Sequence, residues 1–75
     1  MIGAYVLVQL KATASREAVE AIRGVAGVKQ AHMVAGPADC IAYVEATDPE
    51  AMAKIVMAIR ATGEVASTDT RIAMG

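Results

Sequence analysis

Between Lys29 and Glu45 the sequence carries one formal charge, Asp39, inside the stretch Val34-Ala35-Gly36-Pro37-Ala38-Asp39-Cys40. A carboxylate in such a place can do two kinds of work. It can brace a turn by accepting hydrogen bonds from nearby backbone N–H groups. It can also receive the ammonium group of a small ligand as a charge-assisted hydrogen bond. From spacing alone the turn role comes first. Gly36 permits positive φ and Pro37 fixes its own φ, so both suit a turn, and Gly36 would also let a ligand approach the backbone closely.

The other reactive side chains are few. His32, the only histidine, falls on an apolar stretch and reads as a half-buried, hydrogen-bonded residue rather than a catalytic one. Cys40, the only cysteine, reads as a small core hydrophobe. Ser15, Ser67, Thr68 and Thr70 have no neighbouring His to activate them. Thr68 and Thr70 alternate, so they share one face of a strand, either as β-branched strand formers or as hydroxyls lining a ligand site or subunit contact. There is no Gly-rich phosphate loop, no pair of catalytic carboxylates, and no Cys/His spacing for a metal. The expectation is a chain without enzymatic activity, cofactor or metal.

The elements that must hold these residues follow from the pattern. Ala4 to Leu10 has one polar residue, Gln9, and reads as a strand apolar on both faces. Ser15 suits a helix N-cap, Glu17 suits the dipole, and Val19, Ile22 and Ala26 form a stripe ended by Gly24 and Gly27. Val28 to Val34 and Cys40 to Ala46 read as strands flanking the turn. Asp48-Pro49-Glu50 opens a second helix whose Met52, Ile55, Val56 and Ile59 fall on one side, with Gly63 as its stop. Val65 to Met74 closes the chain as a strand. The order is βαββαβ, and Ala21–Val28 (AIRGVAGV) echoes Ala58–Val65 (AIRATGEV). That is the duplicated βαβ of a ferredoxin-like α+β fold, a four-stranded antiparallel sheet with both helices on one face. Residues 1–75 make one domain.

Composition adds a constraint. The chain has 75 residues and no Phe or Trp, so its core is aliphatic and small. A core of this size contributes roughly 3–5 kcal/mol unless something staples it. One cysteine excludes an intrachain disulfide, which leaves association. Two helices cover one face of the sheet, yet the first and third strands are apolar on both faces, so the uncovered face calls for a sheet-to-sheet dimer. The net charge is −1 and the seven basic residues are scattered, which argues against direct nucleic-acid binding. The apolar N-terminus lacks the basic opening and the length of a signal or membrane segment, so the chain is expected in the cytoplasm without membrane contact.

In combination, the Val-rich first strand, the Gly-Val-Ala-Gly-Val entry to the second, Gly36-Pro37-x-Asp39 before the apolar third, Asp48-Pro49-Glu50, and the closing Thr68-x-Thr70 resemble stand-alone RAM domains. These are the effector-binding modules of Lrp/AsnC-type transcription regulators, here without the DNA-binding half. The resemblance spans nearly the whole chain. It implies a βαββαβ fold, dimers paired through their sheets, assembly of dimers into octamers or decamers, and amino-acid binding between dimers. It implies that Gly36, Pro37, Ala38 and Asp39 line the effector pocket, with Thr68 and Thr70 beside it. Ala38 departs from similar sequences, where Tyr is common, and so enlarges the pocket or changes the ligand. The 75 residues hold no helix-turn-helix, so the chain is expected to act as a free amino-acid sensor or to co-assemble with full-length Lrp/AsnC-type regulators.

The functional expectation is a non-enzymatic, oligomeric amino-acid-binding module. The alternative is a small dimeric ferredoxin-like enzyme of monooxygenase or isomerase type, which would need a roomy cavity containing His32, Tyr5 or Tyr43.

Overall fold

The computed structural model describes residues 1–74. Six elements run β1 (Ile2–Leu10), α1 (Glu17–Arg23), β2 (Val28–Met33), β3 (Cys40–Ala46), α2 (Pro49–Arg60) and β4 (Val65–Ile72). The strands lie in the order β2-β3-β1-β4, with every neighbouring pair antiparallel. This is the ferredoxin-like arrangement the pattern implies.

Strand alternation divides the sheet into two unlike faces. Ala4, Val6 and Val8 of β1 and Cys40, Ala42, Val44 and Ala46 of β3 are buried. They form one core with Val19 and Ile22 of α1 and Met52 and Ile59 of α2, so both helices cover this face. The intervening residues Tyr5, Leu7, Ile41 and Tyr43 occupy the other face, where they are exposed or half-buried. Tyr5 and Tyr43 pack there with ring centroids 5.0 Å apart. Gly3 makes room for this pair, because a Cβ at Gly3 would collide with the Tyr43 hydroxyl.

The two helices begin differently. Asp48 caps α2 as its spacing suggests, accepting a hydrogen bond from Ala51 N–H at 2.8 Å, with Pro49 in the first turn. Ser15 does not cap α1. Arg16 occupies the cap position with no side-chain hydrogen bond, and the nearby Ser15 hydroxyl holds the Glu17 carboxyl below its ordinary range. The stripe on α1 is also shorter than its apolar spacing implies. The helix stops at Arg23, and Ala26 lies beyond it, exposed, in the turn that Gly27 closes with φ 96°. β4 ends at Ile72 rather than Met74, and β1 starts two residues early at Ile2.

Candidate functional site

The turn between β2 and β3 is anchored to the end of β1. Val34 N–H donates to Asp39 O at 3.0 Å, and Asp39 N–H donates to Val8 O at 3.0 Å. Gln9 donates its side-chain amide to Pro37 O. The Asp39 carboxylate accepts from Leu10 N–H through Oδ2 at 2.8 Å. Asp39 therefore does brace the fold, but across strands rather than within its own turn. Its other oxygen, Oδ1, has no protein donor among the described residues.

Around this carboxylate lies a depression of about 320 Å3, formed where β1 runs into α1 and β2 ends. Leu10, Met33 and Ala14 give it an apolar lining, and Lys11, Ser15 and Arg16 join Asp39 at its polar rim. A carboxylate and two cations thus share one small cavity with aliphatic walls. That set complements a zwitterion, with Asp39 facing an ammonium and Lys11 and Arg16 facing a carboxylate. Lys11, Arg16 and Met33 escape motif reading, because the first two sit in an unremarkable loop and the third ends a strand. Only the chain path, which lays that loop beside residue 39, brings them together.

The remaining expected site residues divide. Gly36 and Pro37 are exposed at the tip of the turn; Gly36 has φ 133° and open space where a Cβ would stand. Ala38 turns inward and is 7% exposed, so it supports the turn from beneath instead of forming a cavity wall. Thr68 and Thr70 do share a face, as their alternation requires. Their β1 partners Val8 and Val6 are buried, so that face is the helix side. Thr70 lines a separate apolar groove of about 560 Å3 with Ile2, Met52, Val56, Met57 and Ile72, between α2 and β4. Within one subunit the threonines and Asp39 do not meet around one cavity.

His32, expected half-buried and hydrogen-bonded, is exposed on β2, an edge strand of the sheet. Cys40 is fully buried, and burial pushes its thiol up, away from the thiolate a nucleophile needs. Among the described residues no three His, Cys, Asp or Glu groups converge as a metal site. Among the described residues no helix is long and apolar enough to cross a membrane.

A model of the Lrp/AsnC ligand binding domain matches residues 3–75. The chain belongs to the Lrp/AsnC ligand-binding domain family. No curated protein sequence matches it. Among solved structures, this Lrp/AsnC domain is similar to FFRP-DM1, with 31% identity and a TM-score of 0.88 over 99% of this chain and 100% of that one. It is similar to a protein of Thermus thermophilus, with 29% identity and a TM-score of 0.90 over 100% of this chain and 95% of that one. A feast or famine regulatory protein of M. tuberculosis, complexed with L-methionine, shares the fold with 21% identity and a TM-score of 0.87. The Lrp/AsnC domain here covers 51% of that regulator's length.

Proposed function

We propose that this Lrp/AsnC ligand-binding domain is a non-enzymatic sensor of free amino acids, acting in the cytoplasm as one unit over residues 1–75. The observation that carries the reading is the depression in which Asp39, Lys11 and Arg16 surround aliphatic walls. Asp39 Oδ1 receives the ligand ammonium while Oδ2 stays on Leu10 N–H, and Arg16 with Lys11 takes the ligand carboxylate. Leu10 and Met33 contact the ligand side chain. The methionine complex of the mycobacterial regulator supports an amino acid as the ligand class. Gly36 to Ala38 shape the site through the turn, and Thr68 and Thr70 stay outside it within one subunit.

Assembly belongs to the same proposal. The open face of the sheet pairs two subunits, and such dimers join into rings and with full-length Lrp/AsnC-type regulators. A ligand shifts that assembly only by binding one state more tightly than another.

Isothermal calorimetry across the proteinogenic amino acids tests the site. Asp39→Asn keeps an amide oxygen for Leu10 N–H but removes the charge, and Arg16→Gln removes the anion partner. Each should weaken binding at least tenfold, about 1.4 kcal/mol, while the thermal transition stays in place. Binding by Asp39→Asn at wild-type affinity overturns the assignment.

A further inference from the structure

The strand register lines the open face in rows that cross all four strands. In one row stand His32, Ile41, Leu7 and Asp69; in the next stand Gln30, Tyr43, Tyr5 and Arg71. The first row therefore has a hydrogen-bond donor at the β2 edge, two aliphatic side chains in the middle, and a carboxylate at the β4 edge. Asp69 already holds Arg71 through two bonds, of 3.1 and 2.9 Å. A carboxylate has about four lone-pair sites, so Asp69 keeps capacity for a further donor. Asp69 and His32 are both exposed.

A face-to-face pair of identical sheets is isologous, and its two-fold axis lies in the interface plane. With the axis along the strands, each row covers its own reversed copy. Leu7 then lies over the partner subunit's Ile41, Tyr5 over the partner subunit's Tyr43, and His32 over the partner subunit's Asp69. With the axis across the strands, β2 instead covers its own copy. β2 carries Lys29 and His32 and no acidic residue, so that pairing sets two basic edges together. It also leaves the His32 imidazole N–H without a carboxylate. The Asp69–Arg71 contact it would offer across subunits exists already within each chain.

Resting on the sheet-to-sheet reading above, we infer that His32 and Asp69 are the reciprocal corner contacts that orient a second copy of this chain on the open face, with the two-fold axis along the strands. An imidazole N–H donates to a carboxylate whether or not the ring carries charge. The contact recurs at both ends of the row, so one residue pair sets the register twice. The two residues thereby decide which related chains can pair with this one.

The test is a charge exchange on the intact chain. His32→Glu faces the partner's carboxylate, and Asp69→Lys faces the partner's imidazole. By sedimentation equilibrium each variant alone should self-associate about tenfold more weakly than wild type, because two corners change together. Mixed, the two variants should form heterodimers well above the statistical half by native mass spectrometry, since one corner becomes Glu–Lys and the other is restored. A rescue seen instead between Asp69→Lys and Arg71→Glu overturns the orientation. Unchanged self-association with statistical mixing overturns the corner contact alone. A wild-type chain monomeric at every concentration overturns the sheet-to-sheet reading beneath it.

Discussion

Gly27 shows how much one backbone position can carry. It holds φ 96°, and its carbonyl accepts Glu45 N–H at 3.0 Å where β2 begins beside β3. A Cβ there would sit 2.9 Å from Ile55 Cγ1 on α2 and 3.4 Å from Glu45 O. Gly63 has nearly the same φ, 95°, with open space around it. Gly63→Ala therefore reports conformational strain alone, about 1–2 kcal/mol, while Gly27→Ala adds a collision and costs about 1–3 kcal/mol more. Urea denaturation of both variants separates the two effects, and equal losses would show that Ile55 yields freely. The sequence marks Gly27 as the end of a helix, but α1 stops at Arg23 and Gly27 instead closes the turn that leads into β2. The contact with Ile55 is invisible there, because it joins residues far apart in the chain through the packing of two elements. Asp39 follows the same rule. Its presence in a turn is legible, whereas its bond to Leu10 N–H depends on β1 lying alongside.

At the scale of elements, local signals were sufficient where the chain obeyed them. Asp48, Pro49 and the Met52, Ile55, Val56, Ile59 spacing announce α2, and each has the expected place. β3 is an apolar run between a turn and a helix cap, and its bounds, Cys40–Ala46, are those the sequence implies, with burial alternating along it. α1 is the exception. Its seven residues form only two turns, and contacts with the sheet hold it more than any cap. The contrast predicts unequal costs. Asp48→Ala loses the bond to Ala51 N–H and should destabilise the fold by about 1 kcal/mol. Ser15→Ala removes no capping bond and should stay within about 0.5 kcal/mol. Denaturant midpoints at constant slope measure both, and a Ser15 variant as costly as the Asp48 variant would show that the loop caps α1 after all.

For the whole molecule, surface area is the deciding quantity. A monomer of 7.7 kDa should expose about 4,300 Å2. This chain exposes 4710 Å2, and its open face presents Tyr5, Leu7, Ile41 and Tyr43 side by side. Those residues were legible as a two-faced apolar pattern, and the structure puts them where no helix reaches. What the sequence could not supply is the axis that relates two such faces, since that depends on which edge charges meet. If the proposed dimer is the folded unit, unfolding releases two chains and stability must rise with concentration. A hundredfold increase stabilises the dimer by about 2.7 kcal/mol. Two chains of this length unfold with an entropy near 0.3 kcal/mol/K, so the melting temperature should climb by about 9 °C. Leu7→Lys puts a charge into the centre of the covered row, and it should abolish that dependence and melt at a lower temperature at every concentration. Scanning calorimetry over that range decides the matter, because a wild-type transition that stays fixed would mean the open face remains bare in solution.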